Sequence, residues 1–148
     1  YRAEYTSQSG KLAGVTIDDA NNMDAEVGFK QGDWRVYAEY ASAAKNYFQM
    51  YPTGHKWLGY ADLFGRRNIK DMVIGVKGKF MEHMGVAFDY HKFNRTDTAT
   101  GAYALNGTTS LGTTGTSDDI GSEMDLTLTC TKTLSKLKSP TGVVFLTF

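Results

Sequence analysis

Many of the ionisable residues of this chain stand an even number of positions apart in short rows. Arg2 and Glu4 form one such row, and Asp24, Glu26 and Lys30 a second. Arg35 with Glu39, then Asp71 with Lys77 and Lys79, then Asp89, His91 and Arg95, and finally Glu123 with Asp125 repeat the spacing. In an extended chain that spacing puts every member of a row on the same face. Both signs of charge occur in most rows, so the face suits contact with water. Its chemistry is solvation, pairing across strands, and the orientation and selection of ions or polar solutes by a local field.

Catalytic chemistry finds no comparable pattern. The three His residues have no Ser/Asp or Cys partner at a telling spacing. Gly75-Val76-Lys77-Gly78 falls within a strand pattern and is not a phosphate loop. Cys130 is the single cysteine, which excludes an internal disulfide and a Cys-based zinc site. Asp18, Asp19, Asn21 and Asn22, and again Asp118, Asp119 and Glu123, offer hard oxygen ligands, but the ordered spacing of a calcium loop is absent. No metal, no cofactor and no enzymatic activity are expected. A formal net charge of zero supplies no bulk field to recruit nucleic acid.

The elements that carry these rows are strands. Seven segments alternate with period 2: 1–6, 23–30, 34–41, 71–80, 84–91, 123–131 and 143–148. Against the charged rows stand Met23, Ala25, Val27 and Phe29, then Trp34, Val36, Ala38 and Tyr40, then Met72, Ile74 and Val76, and later Met124, Leu126, Leu128 and Cys130. The stretch from Lys11 to Ile17 is too short and irregular to count. Gly32-Asp33 closes a tight turn, Phe80 to His83 closes another, and Thr133 to Pro140 is fairly short. Between the short connections lie long ones, at about 9–22, 43–68 and 96–121.

Three features argue for a membrane barrel. A soluble sandwich turns its apolar face inward, whereas a small membrane barrel turns apolar residues to lipid and polar ones to an aqueous lumen. The apolar rows end in aromatics near the strand tips (Tyr1, Trp34, Tyr40, Phe80 and Tyr90), as an interfacial girdle does. The opposite face is charged on nearly every strand, and the connections alternate between short and long. The fold expected is all-β, an antiparallel transmembrane β-barrel formed as a single domain over 1–148. A soluble β-sandwich binding module is the reading it displaces. No apolar run approaches the ~20 residues of a membrane helix, and no basic-then-apolar leader is present. The chain opens on Tyr1, so a processed chain or a piece of one is expected.

The run GHKWLGYADLFGRRNIKDMVIGVKGKF (54–80), the strand MGVAFDYHKFNR (84–95) and GSEMDLTLT (121–129) resemble, in order and spacing, the alginate-export family of bacterial outer-membrane porins. The resemblance implies a large antiparallel barrel in a Gram-negative outer membrane, with outer-membrane lipid and lipopolysaccharide as surroundings. It also implies passage of small or polymeric polar solutes. Such porins have many more strands than seven, and an odd number fits a closed bacterial barrel poorly. A segment of a larger barrel is therefore expected, with open edges at 1–7 and 141–148. The function expected is passive diffusion of small polar or anionic solutes. The alternative is a solute-impermeable barrel acting in binding or adhesion through its long loops. The pore-lining set is the charged rows from Arg2 to Asp125. His55, Lys56, Arg66 and Arg67, which bracket the apolar centre of the 54–67 loop, are expected to fold on or into the barrel and draw anions.

Overall fold

The computed structural model describes residues 1–12, 15–50, 57–112, 116–131 and 142–147. The period-2 segments become seven strands: β1 (Arg2–Leu12), β2 (Val15–Gln31), β3 (Trp34–Ala43), β4 (Ile69–Met81), β5 (Met84–Asn94), β6 (Asp119–Cys130) and β7 (Gly142–Thr147). Each strand pairs antiparallel with the one before it, giving a single sheet in the order β1-β2-β3-β4-β5-β6-β7. The all-β antiparallel fold is as expected. The sheet does not close on itself, and β1 and β7 are its edges.

One expectation is corrected. The stretch 9–22, read as a loop, is mostly strand: β1 continues to Leu12 and β2 begins at Val15. Pairs such as Thr6 with Asn22, Ser7 with Asn21 and Lys11 with Thr16 carry the hairpin outward, with a register shift between Gln8 and Gly10. Its apolar residues, Leu12, Val15, Ile17 and Ala20, stand at irregular intervals, so no period-2 alternation marks the pairing. The backbone ladder and the packing of Ala20 and Ile17 on the inner-face core hold it, and a period-2 test is blind to both. The other two long connections hold no strand among their described residues, 44–50 with 57–68 and 95–112 with 116–118.

The pairing register fixes the two faces. Arg2 opposes Glu26 and Glu4 opposes Asp24; Glu26 opposes Glu39 and Lys30 opposes Arg35. Arg35 opposes Lys77, Lys79 opposes Gly85, and Asp89 opposes Asp125 with His91 opposite Glu123. All the charged strand rows therefore share one face, called here the inner face. The outer face carries Tyr5, Val27, Phe29, Trp34, Val36, Met72, Ile74, Phe88, Met124 and Leu128, all of them exposed. Ile74 is 68% and Phe29 66% exposed, an inversion of the usual burial preference for such side chains.

Buried apolar packing lies instead on the inner face, at the end of the sheet where the long loops arise. Ala20, Ala43, Ile69 and Phe93 from the strands meet Tyr47 and Leu58 from the first loop, with Phe64 and Trp57 packed against them. The Phe64 and Phe93 rings are 5.1 Å apart and tilted by 58°, a favourable aromatic contact. This small core fastens the loops across the charged face.

Gly75 illustrates how the inner face is shaped. It opposes Tyr37 on one side and Asp89 on the other. Tyr37 reaches over it and donates its hydroxyl hydrogen to Asp89 Oδ1. A Cβ at position 75 would collide with the Asp89 carboxylate and the Tyr37 ring. Gly75→Val should therefore lose about 1–3 kcal/mol of stability, the usual range for overpacking. Gly85→Ala, where the nearest atom to the new Cβ would be 3.5 Å away, should lose clearly less. Urea titrations of the two variants in detergent micelles, followed by electrophoretic mobility, check the order.

Candidate functional site: the covered inner face

Asp24 is the centre of the site. It is 0% exposed, and two guanidinium groups engage it: Arg2 Nη2 donates to Oδ1 at 2.7 Å and Arg66 Nη2 to Oδ2 at 2.6 Å. Arg2 also reaches Glu39 at 3.1 Å. Both guanidinium groups lie over the Trp57 ring, Arg66 at 4.3 Å and Arg2 at 4.9 Å from its centroid. The network joins β1, β2, β3 and the first loop through charge-assisted hydrogen bonds and cation–π contacts. Nearer the short turns, Arg35 pairs with Glu26 and covers the Tyr37 ring at 4.9 Å.

A second cluster lies across β4, β5 and β6. His91 Nδ1 is 2.8 Å from Asp71 Oδ2, and His91 Nε2 is 3.8 Å from Asp125 Oδ2. The loop closes over this cluster by its backbone: Tyr60 N donates to Asp125 Oδ2 at 3.0 Å and Ala61 N to Glu123 Oε1 at 2.9 Å. Gly59 permits the approach. Its φ is +81°, and any side chain there would strike the Glu123 carboxylate. Between the loop and the strands remains a cavity of 220 Å³ that Trp57, Tyr60 and the inner-face strand residues line.

The two long loops are also sewn to each other. Asn68 is fully buried, with φ 52°. Its Nδ2 lies within 3.0 Å of the carbonyl oxygens of Asp97, Thr100 and Gly101 and of Thr100 Oγ1. Its Oδ1 accepts from Thr96 Oγ1 at 2.7 Å and from Asp97 N at 2.8 Å. Lys45 and Asp97 form an exposed pair at 2.6 Å. The Asp97 carboxylate holds the Lys45 ammonium above its ordinary range. The Lys45 ammonium, with the Ala99 N–H, holds Asp97 below the usual carboxylate range. That pair forms at neutral pH and is lost as acid protonates Asp97.

The expected site residues fall into three groups. Arg2, Asp24, Glu26, Arg35, Glu39, Asp71, Asp89, His91, Glu123 and Asp125 come together in the networks just described. Glu4, Lys30, Lys77 and Lys79 share their face and are exposed. Arg95 lies beyond the end of β5, 5% exposed. It donates to the Thr98, Thr100 and Ser117 carbonyls, so it organises the second loop and does not line an open face. Arg66 is turned inward onto Asp24. Arg67 donates to the Lys45 and Gly107 carbonyls and covers the Tyr103 ring at 4.1 Å. His55 and Lys56 lie outside the described residues.

The sequence reading missed Tyr37, Gln8 and Asn68. Tyr37 shares the phase of Arg35 and Glu39 but carries no charge. Gln8 pairs with the Phe48 backbone through both ends of its amide, Nε2 to O at 2.8 Å and N to Oε1 at 3.0 Å. It lay between the 1–6 alternation and the stretch read as loop, where no pattern was counted. For Asn68 the signal was its place directly before a strand, within the Gly65-Arg66-Arg67-Asn68 run.

A sheet with an exposed apolar face, an ionised opposite face and long loops bound down on the ionised side has the makings of a wall between lipid and water. The chain belongs to the alginate export family, a transport family of the outer membrane whose model matches residues 1–145. The resemblance noticed over 54–129 thus extends over nearly the whole chain. No curated protein and no solved structure matches it.

Asn68→Ala should release both loops together. It removes the acceptor of the Asp97 N–H and the donor shared by several loop carbonyls, with a cost of about 1–3 kcal/mol for groups left unsatisfied. Limited proteolysis should then cut 44–68 and 95–118 at similar rates. Lys45→Ala, at an exposed pair, should leave the pattern unchanged.

Proposed function

We propose that the sheet is a section of the wall of an outer-membrane β-barrel channel through which polar solutes diffuse passively. The observation that carries the reading is the division of the two faces. The outer face leaves Ile74, Phe29, Val27 and Val36 more than half exposed, whereas the inner face holds ionised networks. Only lipid stabilises the first and only water or paired charge the second. Strands β3 to β6 are 10 to 13 residues long, against the 9–11 or so that a tilted strand needs to span a bilayer. Trp34 and Phe80 near the short turns, and Tyr40 and Tyr90 toward the loops, occupy the girdle positions. In a bilayer the open edges of β1 and β7 require strand partners, and further strands of the barrel supply them.

The loops support a channel over an adhesion barrel. The first is bound to the inner face by Asp24, Glu123 and Asp125, and the second is tied to the first through Asn68. A loop held in that place narrows the lumen, which is how a wide barrel becomes selective. Arg66 adds little to any anion attraction, because its charge is neutralised by Asp24, whereas Arg67 is turned onto the Lys45 and Gly107 carbonyls.

Ile74→Arg should cost about 2–4 kcal/mol in lipid, whereas Lys77→Arg should fold as the parent does. Equal damage at both positions would sink the assignment of faces. Conductance of the protein in planar bilayers tests the channel. A correctly inserted protein without conductance would return the adhesion reading.

A further inference from the structure

We infer that the first loop is fastened to β6 by a proton-operated latch: one proton shared between the Glu123 and Asp125 carboxyl groups keeps residues 60 and 61 in place, and its loss at higher pH lets them go.

Glu123 and Asp125 are 4% and 2% exposed. They stand two residues apart on β6 and so side by side on its inner face. Each gives one oxygen to the loop: Asp125 Oδ2 accepts from Tyr60 N and Glu123 Oε1 from Ala61 N. The other two oxygens, Glu123 Oε2 and Asp125 Oδ1, are closed to water and receive no N–H or O–H from the described residues. Yet the two side chains are hydrogen-bonded to each other. An ionised carboxylate has no hydrogen to donate, so that bond requires a proton between the two groups, and one proton satisfies both leftover oxygens. Adjacent carboxyl groups in a buried site keep such a proton because both cannot ionise at that range.

The neighbours on every side agree with this. On β5, His91 opposes Glu123 and places Nε2 3.8 Å from Asp125 Oδ2, with Nδ1 2.8 Å from Asp71 on β4. Asp89 opposes Asp125 and accepts the Tyr37 hydroxyl. On β7, Asp125 opposes Thr147, which does not titrate. Tyr60 and Asp62 flank the donors on the loop itself. Across the cavity, Glu39 is paired with Arg2 and Lys77 lies over the Tyr37 ring. Carboxyl groups outnumber the cations that reach them, so a further negative charge finds no new partner.

Loss of the shared proton sets two anions side by side. They are relieved by turning apart toward water, out of line with the two backbone N–H groups. Deprotonation of His91 acts in the same direction, since it removes the cation nearest Asp125. The proton is bound with the loop closed and given up with it open, so the closed form is favoured at low pH and lost as pH rises. The other anchor of the loop does not take part: Arg2 and Arg66 keep their charge throughout, so release is confined to the Tyr60–Ala61 end. On the channel reading proposed above, the same release would widen the lumen.

The test is hydrogen exchange of the Tyr60 and Ala61 amides in the protein in detergent. Rates are read at about pH 5.5 and about pH 8.5, on either side of the ordinary histidine range, each divided by the rate of an unstructured peptide at the same pH. Protection should fall about tenfold or more between the two, the equivalent of one pKa unit between closed and open forms. The Asp97 amide, which donates to the uncharged Asn68 Oδ1, is the internal reference and should keep its protection. Glu123→Gln puts a permanent amide N–H where the shared proton stood and keeps an oxygen for Ala61, so it should hold the loop at both pH values. If that variant fails to fold by circular dichroism, Asp125→Asn makes the same exchange from the other side and should act alike. The proposal is overturned by equal protection at both pH values in the parent, by loss at Asp97 in step with the loop, or by a folded amide variant that loses protection as the parent does. These readouts require no conduction, so the latch and the channel reading fail separately.

Discussion

Everything on the inner face depends on Asp24 being buried between Arg2 and Arg66. A carboxylate with no exposure is tolerable only when paired and hydrogen-bonded, and here two guanidinium groups supply the donors at 2.6 and 2.7 Å. Because one arginine comes from β1 and the other from the first loop, neutralising that charge also decides where the loop lies. Both guanidinium groups then rest on Trp57, which fixes the loop's apolar centre on the strands. The position of the loop is thus a consequence of charge burial in β2. Polar anchoring of this kind is directional, in contrast to the apolar contacts of Phe64 and Phe93, which set proximity but not register.

The same logic recurs at the other end of the loop with the donors exchanged. There the strand carboxylates Glu123 and Asp125 accept from loop backbone N–H groups. Backbone donors cannot be titrated away and need no long side chain to be ordered. The cost is steric: Gly59 must lack a side chain and adopt a positive φ. Asn68 completes the arrangement by joining the first loop to the second. The two loops and the loop end of the sheet therefore form one packed unit. The strands near the short turns carry only cross-strand pairs such as Arg35 with Glu26. Stability and mobility along the strand direction should be graded accordingly.

The strands and their faces were legible in the sequence because each face meets a single environment. Asp24, Glu26 and Lys30 against Val27 and Phe29 leave no other assignment of sides. The 9–22 hairpin was not legible, because its few apolar residues, Leu12, Val15, Ile17 and Ala20, keep no period-2 spacing. The direction of the loops was legible in part. The apolar Trp57, Leu58 and Phe64 required cover, and the structure provides it on the inner face. What each arginine does was hidden. Arg66 and Arg67 are neighbours of the same type, yet one is buried on Asp24 and the other caps Gly107 and Tyr103. Nothing in their spacing separates a charge aimed at solute from a charge that holds a loop. Tyr37 and Gly75 were hidden for a related reason: their partnership runs across three strands and has no period along the chain.

That distinction bears on how such a face acts on a solute. A charge acts at long range only when it is not already neutralised by a partner within a few ångströms. Arg2, Arg35 and Arg66 each have a carboxylate partner, so their fields largely cancel outside their own pairs. Among the described residues, the inner-face groups that keep an outward field are the exposed Lys30, Lys77 and Lys79 near the short turns, with Glu4 near the opposite end. The carboxylates around His91 exceed their cations but lie under the loop. A solute moving along this face would therefore meet exposed lysines at one end of the sheet and covered carboxylates at the other. On the channel reading proposed above, the order of charge along the strand, rather than its sum, is the property that would shape selectivity.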